Sequence, residues 1–167
     1  MTAPERAPYA DVDRGQITYR TIQADDVERL RRMFARCSRE TIYRRFFSYY
    51  QEAPEWVLRR LTYVDYVHRH AVVAVVEDEI VGVARFDKVG AGDEAEIAIC
   101  VEDAWQRRGV ARRLMEWMTD IARSRGVATM TADVQADNGP ALALLRSVLP
   151  GSEVTPQGST FSVRAPL

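Results

Sequence analysis

The stretch EAEIAICVEDAWQRRGVARRL, residues 94–114, changes character at its middle. Its first half alternates, so that Glu94, Glu96, Ala98 and Cys100 fall on one side of an extended strand and Ala95, Ile97, Ile99 and Val101 on the other. A Gln-Arg-Arg-Gly turn follows. The chain then leaves as a helix over 108–125, with Val110, Leu114, Trp117, Met118 and Ile121 on one face, arginines on the other and Gly126 at its end. A strand, a glycine turn and a helix start gather several backbone N–H groups around one point, with the positive end of the helix behind them. Such a nest suits an anion, typically a phosphate. Gln106, Gly109, Val110 and Ala111 line the turn and first helical residues, the small ones letting phosphate oxygens approach, and Arg107, Arg108 and Arg112 add charge. The plainer reading stands beside it: a glycine turn with solvated arginines. The turn is neither a Walker loop nor a dinucleotide fingerprint, because it lacks Gly-Lys-Ser/Thr and Gly-x-Gly-x-x-Gly.

Outward from that stretch, Ile17 to Ile22 reads as a strand, and Asp25 or Asp26 caps a helix carrying Val27, Leu30 and Phe34, closed near Cys37. The run SRETIYRRFFSYY opens with a capping pattern at Ser38 and predicts a one-sided aromatic helix through Tyr43, Phe46, Phe47 and Tyr50. Pro54 opens a further helix, and TYVDYVHRH reads as a solvated connection containing His68 and His70. Three strands follow, AVVAVV, IVGVARFDKV and EAEIAICV, as an antiparallel meander. After the 108–125 helix come the strand VATMTADV, a helix opening at Asn138 with Ala141, Leu144, Leu145 and Val148 inward, and a closing hairpin. The order β-α-α-α-β-β-β-α-β-α-β-β, with one strand–helix–strand crossover over 94–134, predicts an α/β domain on a mixed, mostly antiparallel sheet flanked by helices.

Bulk properties bound the function. At 167 residues, 16–167 fits a single domain preceded by a loose, flexible polar tail over 1–15. Lys plus Arg number 23 against 24 Asp plus Glu, so the charge balance argues for neither a nucleic-acid nor a membrane partner. Lys88 is the single lysine. Cys37 and Cys100 form no Cys-x-x-Cys or Cys/His cluster, so no metal site and no disulfide framework are expected, and a reducing cytoplasm is the expected location. Oligomeric state is not legible.

The whole arrangement from about residue 16 to 165 resembles the GNAT (Gcn5-related N-acetyltransferase) superfamily. Three places carry the likeness: CVEDAWQRRGVARRLMEWM is similar to its acetyl-CoA motif, Asn138 with Ala141 and Leu144 matches its Asn-x-x-Ala-x-x-Leu helix, and VVAVVEDEIVGVARF is similar to its central hairpin. The resemblance implies a GNAT fold, acetyl-CoA as cosubstrate, and the pyrophosphate of coenzyme A on the turn amides. It also implies a thioester beside a splay in the 94–101 strand, its carbonyl polarised by backbone N–H groups near Ile99, Cys100 and Val101, with Val101 pairing to the pantetheine arm. SRETIYRRFF, VDY and EAEIAICV further resemble the bacterial Pat-type protein lysine acetyltransferases, which implies a protein lysine acceptor.

Acetyl transfer to an amine needs a base, because a lysine with a pKa of about 10.4 is almost wholly protonated at neutral pH. Glu96 is the candidate: a carboxylate in an apolar strand is expected to be desolvated and raised in pKa, and the Pat-type resemblance puts the catalytic glutamate at the same place. The competing reading is a strand glutamate paired with an arginine. Where many family members carry a tyrosine as general acid this chain has Leu145, a departure that weakens one detail, because a thiol of pKa about 8.5 leaves readily as thiolate. Cys100 reads as a small hydrophobe rather than an acyl carrier. Asp93, Glu94, Glu96 and Glu102 suggest an acidic cleft mouth. A small-molecule amine acetyltransferase and a non-catalytic acyl-CoA-binding module are the other readings.

Overall fold

A computed structural model describes residues 17–167; the tail assigned to 1–15 lies outside the described residues. The elements are β1 (Thr18–Thr21), α1 (Val27–Arg36), α2 (Arg39–Phe46), α3 (Glu55–Thr62), β2 (Arg69–Val76), β3 (Glu79–Lys88) and β4 (Glu94–Val101). Then come α4 (Val110–Ser124), β5 (Thr129–Gln135), α5 (Gly139–Val148), β6 (Glu153–Gln157) and β7 (Thr160–Pro166). They build a seven-stranded sheet in the order β1-β2-β3-β4-β5-β7-β6. Every neighbouring pair is antiparallel except β4 and β5, which the α4 crossover makes parallel. The expected element order and sheet character are met.

Each face of the sheet has its own core. Val72, Ala74, Ala84, Phe86, Ala95 and Ile97 pack under α4, which contributes Val110, Leu114, Met115, Met118 and Ala122. The opposite parity, Ala71, Val73 and Val75 with Val83 and Cys100, packs under Leu30 and Met33 of α1, Ile42 of α2 and Leu58 of α3. Full burial of each such side chain contributes about 1.5–3 kcal/mol. A bulge keeps both faces apolar: the β2–β3 register jumps from Ala74↔Gly82 to Val75↔Ile80, which leaves Val81 extra and turns it to the α4 face.

Gly82 sets how closely α4 sits. A Cβ built there would lie 3.0 Å from Leu114 Cδ1 and 3.2 Å from Val110 Cγ1, so the absence of a side chain lets the start of α4 rest on β3.

Two expectations need correcting. The aromatic helix stops at Phe46, because Phe47 takes a left-handed conformation at φ 54 and closes the last turn through its N–H to the Tyr43 carbonyl. Tyr49 then folds back and stacks on Tyr43 with ring centroids 4.4 Å apart. His70 is no part of a solvated connection. It is buried in β2 against the Phe86 ring, with Tyr66 edge-on, and burial pushes its imidazole down to about 4.

Candidate active site

β4 and β5 pair only over Glu94↔Thr129, Ala95↔Met130 and Glu96↔Thr131, then part company. β5 continues to Gln135 against β7 instead. The Glu102 N–H reaches the Val81 carbonyl at 2.9 Å, so by alternation the backbone groups of Val101, Ile99 and Ile97 turn away from β3 toward the side β5 has left. An open edge of strand backbone therefore runs from the Ile97 carbonyl to the Val101 N–H. This is the splay that the family resemblance implied and that no residue pattern reveals.

Two adjoining cavities of about 470 and about 660 Å³ fill the opening and share Arg44, Arg45, Ile99, Asn138, Ala141 and Leu144. The larger extends over Val101, Gln106, Arg107, Gly109, Ala111 and Arg112. Here the turn has the geometry of an anion nest. Gln106 at φ −67, Arg107 at φ 59 and Gly109 at φ 82 alternate about a non-positive Arg108, which directs successive N–H groups to one side. Gly109 is the N-cap of α4 and no side chain caps it; the first intrahelical bond runs from Arg113 N–H to the Gly109 carbonyl. The N–H groups ahead of Arg113, on Val110, Ala111 and Arg112, thus have no acceptor in the helix, and no acidic residue occupies the first turn.

The predicted cofactor residues divide by what they touch. Arg107 lines the cleft and makes no ion pair or ring contact among the described residues. Arg108 lies over the Trp105 ring at 5.0 Å, and Arg112 donates to Ser147 Oγ at 3.0 Å. Gln106 is engaged elsewhere: its side-chain amide donates to the Val101 carbonyl at 3.0 Å and to Thr41 Oγ1 at 3.3 Å. It clasps the strand end to α2 rather than presenting itself to a phosphate. Asp103 completes that clasp by accepting from Ser38 N–H, Ser38 Oγ and Thr41 Oγ1. Its burial would raise its carboxyl, but the Ser38 and Thr41 hydrogen bonds outweigh this and hold it below the usual range. Asn138 caps α5 by accepting from Ala141 N–H at 3.3 Å, and its Oδ1 also accepts from Arg44 at 3.1 Å. Cys100 belongs to the apolar core on its own face while also lining the cleft.

The smaller cavity passes between the parted strands. It is lined by Phe46, Phe47, Glu96, Asp133, Thr160 and Leu145 among others. Glu96 stands at its foot, on the last paired rung between Asp87 of β3 and Thr131 of β5. It is exposed, so the desolvation expected for it is not met; the carboxylate opens to solvent at the cavity mouth. It carries no arginine partner among the described ion pairs, against the competing structural reading. Glu94 is the one that is paired, with Arg164. Glu102 is buried and held by Arg36 at 3.0 Å. Asp93 is exposed and lines neither cavity, so of the expected acidic mouth only Glu96 remains, joined by Asp133 of β5, and arginines supply the facing wall.

Arg44, Arg45, Asp133 and Thr160 were missed by sequence reasoning. A helix periodicity reading marks Arg44 and Arg45 as solvated, and only the tertiary position of α2 over β4 turns them into the cleft. Among the described residues lining the two cavities there is no tyrosine, histidine or lysine. No group of three or more His, Cys, Asp or Glu able to hold a metal occurs among the described residues, and no described helix is long and apolar enough to cross a membrane.

Comparison with known proteins agrees with this geometry. The sequence profile of the acetyltransferase (GNAT) family matches residues 28–149. The crystal structure of the GNAT domain of S. lividans PAT superposes with a TM-score of 0.89 at 30% identity, covering 99% of this chain and 100% of that one. An acetyltransferase of Pseudomonas aeruginosa is 29% identical over 130 residues, 75% of this chain and 70% of its own length. A shorter match, 42% over 57 residues, covers 34% of this chain and 38% of the [ribosomal protein bS18]-alanine N-acetyltransferase of Escherichia coli.

Proposed function

This chain belongs to the acetyltransferase (GNAT) family and uses acetyl-CoA as its acyl donor, and from that premise we propose direct transfer of the acetyl group to the ε-amine of a lysine on a protein, with Glu96 as general base. The observation that carries the assignment of Glu96 is its place: the last rung before β4 and β5 part, at the foot of a cavity whose upper edge is the β4 backbone that β5 has left, with the N–H groups of Ile99 and Val101 turned toward it. The lysine ammonium gives one proton to the Glu96 carboxylate, the freed nitrogen bonds to the thioester carbon, and as the carbon–sulfur bond breaks the departing thiolate of coenzyme A takes the nitrogen's second proton through water. The N–H groups of the open β4 edge face the developing oxyanion, and the α4 nest takes the pyrophosphate.

A protein acceptor is supported by the likeness to the Pat-type domain across nearly the whole chain and by Phe47, which lines the smaller cavity and is 43% exposed. A terminal α-amine is the second reading, favoured by the local match to the ribosomal-protein alanine acetyltransferase. Release of free thiol from acetyl-CoA, followed with a lysate protein fraction, with peptides offering only a terminal amine and with a panel of small amines, separates these. Acetyl groups on lysine side chains of the protein fraction support the proposal. Turnover confined to terminal or small amines contradicts it.

A further inference from the structure

The acceptor end holds an arginine, Arg45, with no carboxylate partner among the described residues. Arg85 is 4% exposed on β3; its Nε and Nη2 donate to Asp87 at 2.9 Å each, and its Nη1 is buried with no hydrogen-bond partner. Asp87 also accepts from Arg69 Nε at 2.8 Å, so its two oxygens are already used. Above this cluster Arg45 lines both cavities, its guanidinium over the Phe46 ring at 4.7 Å, and it has no carboxylate partner among the described residues. Its neighbour Arg44, by contrast, is paired with Glu40 at 2.6 Å. Burial pulls the Arg45 guanidinium below its ordinary range, and the charged side chains it feels are those of Arg85, Asp87 and Glu96.

Three guanidinium groups, Arg45, Arg69 and Arg85, thus stand with three carboxylates, Asp87, Glu96 and Asp133, and the balance turns positive once Glu96 takes up a proton. A half-buried, unpaired guanidinium is also costly unless a ligand completes it. The geometry points to a carboxylate subsite centred on Arg45, which lines both cavities, so that the acceptor presents a carboxylate beside the amine that is acetylated. This rests on the reading of the Glu96 cavity as the acceptor end. The carboxylate has two chemical sources, an Asp or Glu side chain flanking a protein lysine or the α-carboxylate of a free amino acid.

Calorimetric titration of the protein saturated with coenzyme A separates the sources without needing turnover. The probes are the capped peptides Gly-Glu-Lys-Gly and Gly-Gln-Lys-Gly, and free lysine against lysinamide. A charge-assisted guanidinium–carboxylate pair predicts binding tighter by about tenfold or more for the acid member of one pair. A preference for the glutamate peptide assigns the carboxylate to a protein, and a preference for lysine over lysinamide assigns it to an amino acid. Equal affinity within both pairs overturns the proposal. Arg45→Gln should bring the ratio to about one, and Arg45→Lys, which keeps charge but loses the fork, should cut it by about threefold or more. An undiminished ratio in the folded variants overturns the subsite. A retained ratio in a Glu96→Gln protein that still turns over normally leaves the subsite standing while removing Glu96 as base.

Discussion

β3 and β4 stay paired from Gly82↔Val101 to Lys88↔Ala95, whereas β4 and β5 separate after Glu96↔Thr131. The same strand therefore has one closed edge and one open edge. On the closed side, β2 and β3 are buried along most of their length and α4 sits down on Gly82, so the backbone groups are used up in the ladder and the side chains in the core. On the open side the Ile97 carbonyl and the backbone groups of Ile99 and Val101 lack a β5 partner, and cavities replace packing. Unsatisfied backbone polar groups at a strand edge are normally a liability. Here they coincide with a nest of free N–H groups and a solvent-facing carboxylate, and the opening is the binding surface proposed above. Stability and chemistry are thus carried by opposite edges of one strand, which substitutions can separate.

The largest effect is expected on the closed side. Phe86 is fully buried, so Phe86→Ala should cost about 3–5 kcal/mol in denaturant unfolding, with activity falling only in proportion to the folded fraction. A loss of activity in a variant that remains folded would blur the division. Next comes pH. His70 titrates at about 4 in the folded chain against an ordinary value of 6.5, so below 6.5 the unfolded chain takes up a proton that the folded one refuses. Stability is then lost as pH falls from 6.5 to about 4, by an amount on the order of 3 kcal/mol. His70→Phe should flatten that window in urea titrations, and an unchanged slope would mean that the imidazole is not desolvated.

Gly82→Val joins the two sides. The added methyls press on Leu114 and Val110 at the start of α4, which should cost about 1–3 kcal/mol and raise the KM for acetyl-CoA because the nest moves with the helix. Destabilisation with an unaltered KM would detach the nest from β3. The smallest effect is assigned to Asp133→Asn. It shares the cavity with Glu96 but stands beyond the last paired rung, so kcat should change by about threefold or less. A larger fall would move the base to β5.

The order of elements was legible because each has its own local signal. Ser38 caps α2 as read, Gly126 ends α4 at φ 77, and the 94–134 crossover makes the parallel pair. The turn at 106–109 was legible as a turn into a helix for the same reason, since its glycine and the helix after it are adjacent in the chain; that it holds an anion belongs to the proposal. What escaped depends on contacts between distant segments. The left-handed Phe47 carries no glycine to announce it, and its closing of α2 leaves Tyr49 free to stack on Tyr43. His70 looked like a loop residue because its burial is supplied by Phe86 across the β2–β3 pair. Glu96 was found by strand alternation, but its exposure was misjudged, since an apolar strand implies burial only where a neighbouring strand remains beside it. Arg45 and Arg85 had no pattern at all: Arg85 sits inside a strand that reads as core, and Arg45 inside a charged helical turn.

The most direct test of the opening as the transfer site is a single-turnover comparison of the native protein with Glu96→Gln, on a protein fraction acetylated at lysine, with acetyl-CoA binding measured in parallel. The account predicts acetyl transfer slowed by about a hundredfold or more, with the Kd for acetyl-CoA and the unfolding midpoint unchanged. Transfer at the native rate by Glu96→Gln, with acetyl-CoA bound as before, would contradict it.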